Sequence, residues 1–278
     1  MLSEVIPMAY RNIVDLHTHT EHSFDGHHST DVLCQAAIEK GIKTLAFTDH
    51  LEMYAYYRDD FDKTAKESFE DTLEAREKYK NELELLTGAE MGEAAYEKAL
   101  SEEVMSTYDY DIVIGAIHNL PDKEDFYYMD LGGDMDFYPL LDEYFELELD
   151  MARWDKFDTL AHLTYPLRYI VGKYHREADM SRYDEIIDEI LLTLIRNGKA
   201  LELNTAGYRQ PIGVPSPNEE IVKRFKDLGG RYLTVGSDAH YDIHLGCNVP
   251  DAYDLAKRCG FDSITVYKKR EPHLITIE

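Results

Sequence analysis

Asp15-Leu16-His17-Thr18-His19 closes an apolar run that begins at Ile13. The run has the make-up of a strand, and a strand's period of two puts His17 and His19 on the same face. Two imidazoles side by side at a strand end can chelate one divalent ion, with Asp15 on that face to orient them. Alone, the motif equally fits two ordinary hydrogen-bonded histidines. Further ligands must come from other strands.

Working outward, Ser29-Thr30-Asp31 caps a helix with apolar positions at Val32, Leu33, Ala36, Ala37 and Ile38, closed by Lys40-Gly41. Lys43 to Phe47 is a second strand ending at Thr48-Asp49-His50, which completes one β-α-β unit. A polar, aromatic loop is expected over 51–62, then a helix over 63–84 and a strand ending at Glu90. A helix over 94–106 leads to a strand ending at His118, followed by a second long loop over 119–137. The remaining helices are expected over 140–156, 181–196, 217–228 and 251–258. Between them lie strands ending at His162, Asn204 and Gly236, and Ser263 to Tyr267 makes a last strand-like segment. Repeated alternation of strand and helix predicts a parallel sheet or barrel. No linker or low-complexity tract divides the chain, so residues 1–278 read as one domain.

Strand after strand ends in a residue able to bind a metal: His17 and His19, His50, Glu90, His118, His162, then Asp238 and His240. In a closed barrel these ends form one rim, where catalytic groups of barrel enzymes gather. Eight such groups exceed the needs of one ion, and a bridging carboxylate lets two ions share a ligand. Asp25, in the first loop, is a further candidate. With Asp25, Glu90 and Asp238 as the anionic ligands, three divalent ions leave a local charge of about +3.

That local charge matters because the chain as a whole is acidic. Its 29 basic and 55 acidic residues give a net charge of -26, which disfavours nucleic-acid backbones and anionic membranes. A small phosphorylated substrate would need a positive centre such as a metal cluster. Three scattered cysteines, Cys34, Cys247 and Cys259, suit a reducing compartment, and the N-terminus lacks the basic and apolar pattern of a signal peptide. No run reaches the roughly 20 apolar residues of a membrane span, and a cytoplasmic location is expected.

The stretches Asp15 to His19, Thr48-Asp49-His50, Gly88-Ala89-Glu90, Ile114 to His118, Ala161-His162 and Gly236 to His240 together resemble the PHP (polymerase and histidinol phosphatase) superfamily, and in length and motif order its histidinol-phosphatase branch. The resemblance implies a distorted (β/α)7 barrel with two to three divalent ions, Zn, Mn or Fe, at the C-terminal rim of the strands. It implies one ion on His17, His19, Glu90 and Asp238, a second on Glu90, His118 and His162, and a third on Asp25, His50 and His240. Some relatives carry histidine where Asp25 stands, which changes the charge and hardness of the third site. Arg168 and Arg209 match the arginines that clamp phosphate in this branch, and Lys173, His175 and Arg176 have weaker cases. A guanidinium fork suits two phosphate oxygens.

The implied catalytic set is therefore Glu90, Asp238, Arg168 and Arg209, acting with metal-activated water on a phosphomonoester and releasing inorganic phosphate. Glu52 is a candidate proton donor to the leaving alkoxide. For histidinol phosphate, the acidic and aromatic loops with Glu52, Tyr54, Tyr56, Tyr57, Asp122, Phe126 and Tyr128 are candidates for the cationic portion. Two other readings stand beside this one: a phosphoesterase for a different small ester or nucleotide, and a barrel that binds metal and phosphate without turnover. Oligomeric state is open on this sequence.

Overall fold

The structure is a computed structural model that describes residues 10–278. Seven parallel strands form the wall: β1 (Val14–Asp15), β2 (Thr44–Phe47), β4 (Glu84–Gly92), β5 (Ile112–Ala116), β6 (Thr159–Leu160), β7 (Ala200–Asn204) and β8 (Leu233–Gly236), in the order β1-β2-β4-β5-β6-β7-β8. A further strand, β3 (His50–Glu52), pairs among the described residues only with β4. The wall closes because Leu16 N donates to Val235 O (3.0 Å), Asp238 N to His17 O (2.8 Å) and His19 N to Ala239 O (2.9 Å). This is the distorted (β/α)7 barrel that the resemblance implies. Apart from Glu84, every residue of these strands is buried, as expected when helices cover the outside and side chains fill the inside.

The helices are α1 (Thr30–Glu39), α2 (Phe61–Tyr79), α3 (Lys98–Thr107), α4 (Tyr138–Trp154), α5 (Asp184–Arg196), α6 (Ala206–Arg209), α7 (Glu219–Asp227) and α8 (Val249–Arg258). Their starts follow local chemistry. The Ser29 side chain accepts from Val32 N at the start of α1, and Asn218 Oδ1 accepts from Ile221 N at the start of α7. On α5, Ile187, Ile190, Leu191 and Leu194 turn inward at helical spacing.

Two expectations need correction. The helix expected to reach residue 84 ends at Tyr79, because the turn Lys80 to Leu83 folds back on the Tyr79 carbonyl and Glu84 N is claimed by Lys43 O. The loop expected over 51–62 begins instead as β3, whose His50, Leu51 and Glu52 stand against Glu90, Met91 and Gly92. This explains the nine-residue length of β4: its first half pairs with β2 and its second half with β3. The last strand-like segment is, as expected, a strand, β9 (Ser263–Lys268), and it hairpins with β10 (Glu271–Thr276) outside the wall. Its turn seals the end of the barrel opposite the site, where Lys269 N and Arg270 N bond to Asp111 and the Arg270 side chain pairs with Asp158.

The loop over 119–137 is irregular, as read. It is held by a bridge between Asn119 and Asp125, and by Arg176, which donates to the carbonyls of Leu131 and Met135. Among the described residues, no helix is long and apolar enough to cross a membrane.

Candidate active site

The strand ends converge on Glu90. Its Oε2 lies 3.2 Å from His17 Nε2, 3.6 Å from His19 Nε2 and 3.0 Å from His50 Nδ1, and its Oε1 lies 3.3 Å from His118 Nε2 and 3.0 Å from His162 Nε2. Asp238 Oδ1 stands 3.6 Å from His19 Nε2 and 4.0 Å from His17 Nε2. Asp25 joins from the first loop, 3.1 Å from His240 Nε2 and 3.7 Å from His50 Nε2. All nine expected metal ligands thus meet at one place. Strand geometry accounts for most of it: His17 and His19 follow β1, His50 follows β2, Glu90 lies late on β4, and His118, His162 and the pair Asp238 and His240 follow β5, β6 and β8, so all reach the C-terminal rim, while Asp25 is brought in by the loop after β1.

The electrostatics of this rim demand positive charge. Burial works to raise the Glu90 carboxyl, but His17, His118 and His50 outweigh it and hold Glu90 well below the usual range. Asp238 is likewise held well below, by Arg168 and His17 against burial. Burial drives His19 down to about 3, helped by His240 and His50, so its imidazole is neutral with a free lone pair. Among the described residues, the ring nitrogens His17 Nε2, His19 Nε2, His50 Nδ1 and His240 Nε2 are buried without hydrogen-bond partners. Buried polar atoms left unpaired are costly. Here they fall into the triads His17/His19/Glu90, His50/Glu90/His118 and His19/His50/His240, each compact enough to grip one ion. The donor set is capable of coordinating two to three divalent ions, and imidazole with carboxylate suits Zn, Mn and Fe alike.

Behind the rim lies a set of residues the sequence reading did not single out. Glu202 Oε1 lies 2.7 Å from His17 Nδ1, while Glu202 Oε2 accepts from His162 N (2.9 Å) and Asn204 Nδ2 (3.1 Å). It does for His17 what was expected of Asp15. Asp15 instead accepts from Ser237 N, Ser237 Oγ and Gly246 N, and so ties the loop after β8 to β1. Gly236 makes the approach of these strands possible: a Cβ there would sit 2.3 Å from His17 Cβ and 2.8 Å from Glu202 Oε1. His118 Nδ1 is met by Glu52 Oε1 at 3.1 Å. Glu93, also unforeseen, accepts from the backbone N of His118 and Asn119. Burial and the neighbouring Glu52 raise Glu93 well above the carboxylate range. A glutamate inside the apolar run Ala200 to Asn204 was a readable signal, whereas nothing in the sequence marks Glu93.

The two arginines differ. Arg168 is buried, with Nη1 on Asp238 Oδ2 (3.0 Å), Nη2 on Asn204 Oδ1 (2.8 Å) and Nε without a partner. Arg209 donates Nη2 to Ser237 O (2.7 Å) and leaves Nη1 buried and unpaired. Both line a cavity of about 470 Å³ together with Glu90, His118, His162 and Asp238. A second cavity of about 920 Å³ adjoins it, lined by Glu52, Tyr54, Asp122 and Tyr128 among others. Three of the aromatic candidates line neither space: Phe126 and Tyr56 are buried in the core, and Tyr57 is exposed outside both.

Fold and rim together define a metal-binding (β/α)7 barrel. The chain belongs to the PHP domain family, whose match spans residues 15–206. It is 31% identical over 271 residues to a Thermotoga maritima protein named probable histidinol-phosphatase, covering 96% of this chain and 99% of that one. It is 26% identical to the histidinol-phosphatase of Lactococcus lactis subsp. lactis, covering 91% of this chain and 94% of that protein. A crystal structure of the Lactococcus lactis histidinol phosphate phosphatase with Zn, L-histidinol and phosphate shares the fold, with a TM-score of 0.81 over 94% of this chain and 99% of that chain at 24% identity. The corresponding Listeria monocytogenes structure superposes with a TM-score of 0.70 over 84% of this chain and 97% of its own.

Proposed function

We propose that this chain is a metal-dependent phosphomonoesterase that hydrolyses L-histidinol phosphate to L-histidinol and phosphate in histidine biosynthesis. The observation that carries the reading is the ring of unpartnered imidazole nitrogens around Glu90 beside a guanidinium nitrogen, Arg209 Nη1, that also lacks a partner. The relatives' names give the substrate.

We assign His17, His19, Glu90 and Asp238 to one ion, Glu90, His118 and His162 to a second, and Asp25, His50 and His240 to a third. Bound there, divalent ions supply Lewis acidity, making water nucleophilic near neutral pH and drawing charge from phosphoryl oxygens. Glu90 would serve both of the first two sites, since its Oε2 faces His17 and His19 and its Oε1 faces His118 and His162. Arg209 directs Nη1 at a phosphate oxygen, and Arg168 holds Asp238 through Nη1 with Nε turned to the same cavity. Glu52, a candidate proton donor on the sequence, borders the larger cavity, but against burial His118 and His50 hold it well below the usual carboxylate range, so its part is to orient His118 through Oε1. We further read residues 1–278 as one domain working in the cytoplasm.

The test is direct. Metal-reconstituted protein should contain two to three ions per chain by elemental analysis. With Zn, Mn or Fe supplied separately, it should prefer histidinol phosphate over sugar and nucleotide phosphates in kcat/KM. Fewer than one ion per chain, or phosphate binding without turnover of any ester, overturns the reading.

A further inference from the structure

His17 and His118 are braced from behind by carboxylates, Glu202 and Glu52, each set against the Nδ1 that faces away from Glu90. At His19 a hydroxyl takes that place. Ser23 Oγ lies 3.1 Å from His19 Nδ1, 3.1 Å from the backbone N of His50 and 2.7 Å from Asp49 Oδ1. All four residues are buried.

The direction of each bond follows from what these groups can do. An amide N–H only donates, so His50 N gives its proton to Ser23 Oγ. Asp49 Oδ1 is fixed as an acceptor by Thr20 N, which donates to it at 2.6 Å, so the single proton of Ser23 goes to Asp49. Asp49 cannot turn away from this task, because its Oδ2 accepts from Thr20 Oγ1 (2.8 Å) and from Ser68 Oγ on α2 (2.5 Å). Ser23 then has one lone pair left, and toward it His19 Nδ1 must be the donor. A neutral imidazole carries one proton. With that proton on Nδ1, the lone pair of His19 stands on Nε2, 3.6 Å from Glu90 Oε2 and 3.6 Å from Asp238 Oδ1.

The backbone holds Ser23 at this point. Ser23 N donates to Thr20 O (3.1 Å), and Gly26 N turns back to Ser23 O (3.1 Å). Gly26 permits that turn, since a Cβ there would lie 1.7 Å from Thr20 O.

We propose that Ser23 is a positioning residue which, with Asp49 behind it, sets His19 as the Nδ1–H tautomer before any ion arrives. This rests on the metal assignment above and goes beyond it, since neither Ser23 nor Asp49 is a ligand there. The loop over 20–26 thereby presents a ligand atom that needs no proton shift on metal binding.

The experiment reads the proton itself. Proton–nitrogen correlation spectra of metal-free wild type, labelled at the histidine nitrogens, show which ring nitrogen is protonated, and His19 is assigned by its loss in His19→Gln. Nδ1 should carry the proton and Nε2 should be bare. A proton on Nε2, or a mixture of the two tautomers, overturns the proposal. Ser23→Ala removes only the oxygen; His19 should then populate both tautomers, and about 10- to 100-fold more free zinc should be needed to fill the rim. Ser23→Thr restores a hydroxyl and should recover most of that loss. A Ser23→Ala protein that binds zinc within about twofold of wild type, or a Thr variant worse than the Ala variant, overturns the proposal. Should Ser23→Ala not fold, the wild-type spectrum decides. Wild type that binds no zinc overturns the metal assignment instead, and the metal-free spectrum still decides on Ser23.

Discussion

Replacing Glu202 by Gln changes one atom in a fully buried side chain and should disable the rim from behind. The carboxylate now meets three donors: His17 Nδ1 at 2.7 Å, His162 N at 2.9 Å and Asn204 Nδ2 at 3.1 Å. A glutamine offers one acceptor and two donors, and neither orientation works. With its oxygen toward His17, its NH2 faces two N–H donors, each left unsatisfied at a cost of about 1–3 kcal/mol. With its NH2 toward His17, Nδ1 must accept, the ring proton moves to Nε2, and the lone pair aimed at Glu90 and Asp238 is lost. Either way, metal affinity should fall by about 10- to 100-fold, the usual effect of removing a carboxylate behind a ligating histidine. Competition with a chromophoric chelator measures this, with circular dichroism to show that the variant is folded. At saturating metal much of kcat should return, because no group facing the substrate has changed. A variant whose metal affinity stays within about twofold of wild type refutes the tautomer argument.

Other substitutions separate roles that look alike in sequence. Glu90→Gln should lower metal occupancy and turnover together, since both Glu90 oxygens face imidazoles; elemental analysis alongside kcat checks it. Arg209→Ala should raise KM for phosphate esters by about tenfold or more with metal content intact. Arg168→Ala should also weaken metal binding, because it releases Asp238. Glu148, buried on α4, has its carboxyl pushed up to about 8 by burial, against the weaker pull of Tyr144 and His118. An unfolded chain gives up that proton near 4.5, so stability from the neutral acid is full below that pH and is lost as pH rises toward 8. The melting temperature of Glu148→Gln should therefore fall less than that of wild type between pH 5 and 8; parallel falls would count against it.

Much of the site was legible because parallel barrel strands are written plainly. Each is a short apolar run, and the residue that follows it lies on the rim, so His17, Glu90, His118, His162 and Asp238 could be gathered without coordinates. Partners across strands were not legible. Glu202 reaches His17 because β7 lies beside β8, and β8 closes on β1, a neighbour relation that no spacing along the chain encodes. Asp15 shares a face with His17 by periodicity, yet its carboxylate turns toward Ser237 and Gly246 on the other side of the closure. β3 escaped notice because Leu51 to Tyr57 reads as an aromatic loop, and only the overlong β4 gives it a pairing partner. Ser23 was one hydroxyl among many in a polar loop. What distinguishes it is its place between His19, the His50 backbone and Asp49.

The wall of this barrel has a seam. β1 is only two residues long, and the join to β8 is completed by backbone bonds at Leu16, His19 and Asp238. His17 and His19 stand on one lip of the seam, and Asp238 and His240 on the other. An ion gripped from both lips would act as a rivet, so that filling the site and shutting the cylinder become a single event. In chain stripped of metal, the amide protons of Leu16, His19 and Asp238 should be the earliest in the wall to exchange with solvent, and metal should slow them most.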